Sequence, residues 1–356
     1  MKESGIQFSD FRPLYSVKKM LKKIYNSFRD KLPIRSKIAL SRIVFRFANK
    51  PFYDPSNRIE LDKSIVTISA DFELAWAWRY SKRQIDPIEM ARQEREGFNI
   101  ILSKLNELDI PITWATVGHL FLDECKCENG KAHSSMPRPD YFENEFWKFD
   151  KGDWYDIDPC GNYKSNPEFY APDLIEKILN SKTNHEIGCH SFSHCSFDER
   201  HSTPDLIEAE LYECQKAADR FGIKLQSFVF PGNFHGNFNL LEKYGYKIIR
   251  YKSNEMKEIG FPEKVTNNLY AIHDSIAFDL AEEGWDFNYI LWKLKKYVDK
   301  AIEKKAIAHF WFHPSIEYEQ ITSFLFPFLE YIKKQREDGK LDVLTMKQIY
   351  KLYSYY

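Results

Sequence analysis

The sequence has almost no net charge. Its 51 Lys and Arg face 52 Asp and Glu over 356 residues, a net of -1. A chain without a basic excess does not carry the electrostatic footprint of a nucleic-acid-binding domain. With 43% apolar and 16% aromatic residues it is not a disordered chain either. It has no run of about 18 apolar residues, which excludes a transmembrane helix. Its first residues, MKESGIQFSDF, lack the apolar core of a secretory leader. Cysteine is scarce: six residues, at 125, 127, 160, 189, 195 and 214, with no disulfide-framework spacing. Reduced thiols and a cytoplasmic protein are therefore expected. Cys125, Cys127, Cys160 and His133 together offer donors for a structural zinc, but their spacing matches no common zinc module.

Charge is distributed unevenly. Residues 1–50 hold 13 Lys/Arg against 3 Asp/Glu, leaving 38 against 49 in the remainder. A turn-rich stretch, NKPFYDPSNR, follows, so a boundary is placed near residue 58. Within the basic arm, Leu14, Val17, Leu21, Ile24 and Phe28 recur at helical spacing, with Lys18, Lys19, Lys22 and Lys23 between them. This predicts an amphipathic helix over 14–28. Such a helix suits peripheral contact with an anionic membrane surface. The plainer reading packs it on the main domain with its lysines in water.

From residue 59 onward, short β-branched runs alternate with longer amphipathic ones. SIVTISADFE, PITWATVGHLFL, LQSFVFPGN, YKIIRY and AIAHFWFHPS read as strands. IEMARQEREGFNIILSKLNELDI, APDLIEKILNSK, TPDLIEAELYECQKAADRFG and YILWKLKKYVDKAIEKK read as helices. This alternation predicts an α/β domain over 59–356 with a parallel sheet, open or closed into a barrel. Residues 123–171 break the pattern. A loop of that length is functional or mobile. Its aromatics (Trp147, Trp154, Tyr155, Phe169, Tyr170) form either a sugar-stacking wall or a cover over one end of the domain.

Chemistry-bearing residues gather where predicted strands end, the usual position in parallel α/β folds. HEIGCHSFSH sets His190 and His194 four apart, close enough to share a metal if a third ligand arrives from elsewhere. SADFE ends an apolar run with Asp71 and Glu73, which point to one face of a strand. Two carboxylates so close need a neutralising cation. HFWFHPS ends on His313, while His309, four residues earlier, reads as a packing histidine.

Jointly these segments resemble the polysaccharide deacetylase family, carbohydrate esterase family four. TISADFE is similar to its first motif, HSFSH to its H-[ST]-x-x-H motif, and WFHPS to its late H-P motif. The resemblance spans about 64–318. FVFPGN keeps the third motif's Pro-Gly turn but lacks its Arg, so either another cation orients the catalytic acid or the base is tuned differently. The fourth motif has no clear counterpart; HDSIAFD (273–279) is the candidate segment. The resemblance implies a distorted (β/α) barrel with a helical N-terminal extension. It implies a divalent metal, zinc first, on Glu73, His190 and His194, with Asp71 as base and His313 as acid. Pro231, Gly232, Asn233 and Trp76 would line the substrate side. The implied activity is removal of an N-acetyl or similar acyl group from a sugar in a glycan or lipid-linked precursor. Two alternatives remain: a carbohydrate-binding protein with reduced catalysis, and a hydrolase of another C–N bond, in a formamide or ureide.

Overall fold

The computed structural model describes residues 33–354, apart from 48, 49, 84, 253–256 and 279–285. The helix expected over 14–28 lies outside the described residues. Ten strands form one sheet: β1 (Ser64–Phe72), β2 (Thr113–Thr116), β3 (Glu186–Cys189), β4 (Ser227–Val229), β5 (Ile248–Tyr251), β6 (Glu263–Lys264), β7 (Tyr270–His273), β8 (Ile276–Ala277), β9 (Ile307–Phe312) and β10 (Leu341–Val343). Their order is β6-β7-β5-β4-β3-β2-β1-β9-β8, with β10 also paired to β1. Within this sheet, among the described residues, only the β6–β7 pair is antiparallel.

All nine residues of β1 are buried, as in a central strand covered on both faces. Its two faces still differ. Val66, Ile68, Ala70 and Phe72 point one way, and Phe72 packs on Phe98, ring centroids 5.1 Å apart. Thr67, Ser69 and Asp71 point the other way. In the β1–β9 register Thr67 pairs with His309 and Ser69 with Trp311, so a polar lane runs inside an otherwise apolar sheet.

Helices α1 (Ile34–Phe47), α2 (Pro87–Leu108), α3 (Pro172–Leu179), α4 (Pro204–Asp219), α5 (Phe238–Lys243), α6 (Phe287–Lys304), α7 (Phe326–Glu337) and α8 (Met346–Tyr353) connect or cover the strands. Several begin as their sequences predict. Asp86 and Thr203 cap α2 and α4 ahead of a proline, and Thr345 with Gln348 forms a capping box on α8. The described part of the N-terminal arm docks on the domain: Phe45 meets Trp292 at 5.4 Å and Lys50 pairs with Glu258 at 2.9 Å. Among the described residues no helix is long and apolar enough to cross a membrane.

Two sequence expectations need correction. PITWATVGHLFL is a strand only over its first part. It then closes into a 3-10 turn, Gly118–Phe121, which carries His119 fully buried into the core. The cysteines are not all thiols: Cys127 and Cys160 form a disulfide across the insert, which also removes both from the zinc set considered above. The sequence could not show this, because their 33-residue separation becomes proximity only when the insert folds back.

Candidate metal centre and active site

The carboxyl ends of β1, β3 and β9 bring Glu73, His190, His194, Asp71 and His313 together. The ligand atoms of Glu73, His190 and His194 lie within 4.8 Å of one another, and so do those of Asp71, Glu73 and His313. His190 Nε2 is 2.7 Å and His194 Nε2 3.2 Å from the same oxygen, Glu73 Oε1. His190 Nδ1 lies 2.8 Å from the Val229 carbonyl, which only accepts, so Nδ1 carries the ring's proton. Nε2 is then the ring atom turned toward the carboxylate, and it shares Glu73 Oε1 with His194 Nε2. That arrangement asks for a cation between the two groups, and the donor set suits a divalent metal.

The electrostatics agree. Burial opposes the charge on Glu73, but the imidazoles of His194, His313 and His190 outweigh it and hold its pKa well below the usual carboxylate range. Burial pushes His194 down to about 4 against the pull of Glu73.

The cation missing from FVFPGN comes from the next strand. Arg250 of β5 forks onto Asp71 with both contacts at 2.6 Å. Both side chains are nearly inaccessible, 1% and 4% exposed. Trp311 covers the guanidinium at 4.3 Å, and its indole donates to Asp274 at 3.1 Å. Asp274 belongs to the HDSIAFD segment. Ser69 Oγ bridges Arg250 at 3.1 Å to His309 at 2.9 Å. His309 is fully buried, its pKa lowered by burial and by Arg250.

Sequence reasoning missed two glutamates that shape the ligand loops. Glu94 of α2 accepts the backbone N–H groups of Glu73 at 2.9 Å and Leu74 at 3.1 Å. Glu210 of α4 accepts those of Phe192 and Ser193, at 2.7 and 2.9 Å, and the Ser193 hydroxyl. The loops they hold are strained: Leu74, Ser191 and His194 have φ of 50°, 59° and 55°, uncommon for residues with a Cβ. Each glutamate sat on the apolar stripe of its helix, between Ala91 and Phe98 or between Ile207 and Cys214, and that was the available signal. Burial, then the Glu73 charge, raises the Glu94 pKa to about 8.

The other expected site residues sit as follows. Pro231, Gly232 and Asn233 form the turn after β4, but the Asn233 N–H donates to the Phe230 carbonyl at 3.0 Å, which leaves Gly232 as the backbone donor of that pair. Trp76 is fully buried, packs against His119 with ring centroids 4.2 Å apart and donates to the Phe169 carbonyl. The insert is a cover rather than a sugar-stacking wall: Trp147, Trp154, Tyr155, Phe169 and Tyr170 are all buried. Trp147 lies over His194 at 5.1 Å and Trp154 donates to the Ser193 hydroxyl at 2.8 Å. His313 is the open member, 23% exposed and 3.7 Å from Glu73 Oε2.

No family model matches the chain, and no curated protein matches it. Solved structures do. A putative polysaccharide deacetylase from Mycobacterium smegmatis superposes with a TM-score of 0.56 at 14% identity, over 84% of this chain and 93% of that one. Puue allantoinase gives 0.57 at 12%, over 83% and 93%. A probable polysaccharide deacetylase from Pseudomonas aeruginosa PAO1 gives 0.55 at 9%, over 81% and 89%. The chain has the polysaccharide deacetylase fold, a (β/α) barrel of the distorted type.

Proposed function

We propose that this protein is a metal-dependent hydrolase that removes an N-acetyl or related acyl group from a sugar. The observation that carries the reading is the junction of Glu73, His190 and His194, where two imidazole nitrogens converge on one carboxylate oxygen at 2.7 and 3.2 Å, beside an acid held by an arginine and a histidine open to solvent. Glu73, His190 and His194 would hold the ion, and two imidazoles with a carboxylate suit zinc, with cobalt, nickel or iron as substitutes. Bound there, the ion would polarise the acyl carbonyl and acidify a water. Asp71 takes the water's proton, its carboxylate plane fixed by the Arg250 fork. The Gly232 N–H is the backbone donor for the developing oxyanion. His313, the accessible histidine, delivers a proton to the departing nitrogen, which leaves poorly unless protonated.

The substrate class is part of the proposal: a nucleotide-linked or lipid-linked sugar precursor, with residues 14–28 as a contact to a membrane surface. The allantoinase among the structural neighbours supports a second reading, hydrolysis of a ureide C–N bond on the same machinery. The test is release of amine from N-acetyl sugars by metal-loaded protein, with allantoin and formamides in parallel. Asp71→Asn is expected to abolish turnover while metal content stays at the wild-type level. Sugar binding without product from any of these would replace the hydrolase with a carbohydrate-binding protein. Wild-type protein that takes up no divalent ion at this site would end the proposal.

A further inference from the structure

A second cluster of donors lies under the insert. His119, Cys125, His133 and Asp158 bring one ligand atom each within 4.8 Å of one another. His119 Nε2 is 3.0 Å from His133 Nε2 and 2.9 Å from Asp158 Oδ2, and His133 Nε2 is 3.0 Å from that same oxygen. Cys125 Sγ is 3.4 Å from His133 Nε2. The side chains of His119 and Asp158 are completely buried and that of His133 is 13% exposed.

Hydrogen bonds alone do not satisfy this triangle. His119 Nδ1 lies 3.2 Å from the Phe169 carbonyl, so the proton of a neutral ring sits there and Nε2 is bare. Asp158 spends its other oxygen, Oδ1, on the Tyr170 hydroxyl at 2.8 Å and the Cys160 N–H at 2.9 Å, which leaves Oδ2 aimed at the two imidazoles. One ring proton bridges one edge of the triangle and leaves another as lone pair against lone pair. A cation at the centre satisfies every edge. A tetrahedral zinc with ligands at about 2.0–2.3 Å sets its ligand atoms roughly 3.3–3.6 Å apart. The observed 2.9–3.4 Å requires the donors to open by a few tenths of an ångström.

We propose that His119, Cys125, His133 and Asp158 form a structural zinc site, separate from the Glu73 centre, that fastens the insert to the barrel. Three of its ligands belong to the insert, and His119 belongs to the turn after β2. The insert has little regular structure of its own, two hairpins of two-residue strands among the labelled elements, so it depends on side-chain anchors. It reaches the other centre through Trp147 on His194 and Trp154 on Ser193. The bound ion thereby steadies the cover over the HSFSH loop.

Cobalt separates the two sites, because only this one contains a thiolate. Full-length protein stripped with chelator is titrated with Co2+ and followed by absorbance. The expected result is a thiolate-to-cobalt charge-transfer band in the near ultraviolet that saturates with added Co2+ and is missing in Cys125→Ser. The Glu73 centre adds no such band whether or not it fills, so its failure and the failure of this site are distinguishable. If Cys125→Ser does not fold, His133→Gln, at the most exposed ligand, gives the second reading: the band's apparent Co2+ affinity falls at least about tenfold, the scale on which even outer-shell changes act. Wild-type protein that fills with Co2+ and shows no charge-transfer band has a proton-bridged cluster and overturns the proposal. A band of unchanged affinity in the variants overturns it as well.

Discussion

Arg250→Met isolates the contact that replaces the absent third-motif arginine. In the native protein both oxygens of Asp71 are met at 2.6 Å by one guanidinium, with both side chains nearly inaccessible. Removing the guanidinium leaves a buried carboxylate without its partner, and breaking a buried pair from one side costs about 3–5 kcal/mol. That is a large share of a total stability of about 5–15 kcal/mol. With a urea m-value of about 3 kcal/mol/M, the midpoint should fall by roughly 1–1.7 M. Arg250→Lys keeps the charge but not the fork, and should fall between the two. The double variant Asp71→Asn/Arg250→Met should recover most of the loss, because no charge is left buried. Urea unfolding followed by tryptophan fluorescence and circular dichroism, in chelator to remove metal linkage, measures all five proteins, the single variant Asp71→Asn included. A cost under about 1 kcal/mol for Arg250→Met, or a double variant as weak as the sum of the singles, would refute the claim that this pair is held as a buried unit.

Glu210→Gln should loosen the HSFSH loop, since a neutral amide accepts more weakly from the N–H groups of Phe192 and Ser193. The expected loss is about 1–3 kcal/mol, together with weaker metal uptake measured by competition with a chelating dye. Thiol titration of denatured, unreduced protein should count four reactive cysteines, and six after reduction. Six before reduction would restore the all-thiol reading. Burial lowers His185 and His235 to about 4, so between about 4 and 6.5 the unfolded chain binds more protons than the native one at these two sites. Their contribution to stability rises with pH and is lost as pH falls toward 4, while Glu94, raised to about 8, works in the opposite direction above about 4.5. His185→Gln should flatten the slope of the urea midpoint against pH, and an unchanged slope would count against burial of a neutral His185.

The sequence by itself determined the parts of this protein whose chemistry is local. Strand–helix alternation set the α/β class, because side-chain periodicity follows backbone geometry within one element. SADFE and HSFSH exposed Asp71, Glu73, His190 and His194, because residues two apart at a strand's end and four apart in a turn stay close whatever the rest of the chain does. Tertiary structure alone decided the contacts between elements. Arg250 reaches Asp71 across 179 positions because β5 and β1 share the interior of one curled sheet, and no local pattern in YKIIRY names that partner. Glu94 and Glu210 look like ordinary helix glutamates until packing turns them toward strained loops whose N–H groups need acceptors. The insert shows the same division. Its cysteines and histidines were visible in the sequence, but which of them pair, Cys127 with Cys160 and His133 with Cys125, His119 and Asp158, depends on how an aperiodic chain folds back on itself. Sequence distance carries no information about that when neither helix nor strand sets the path.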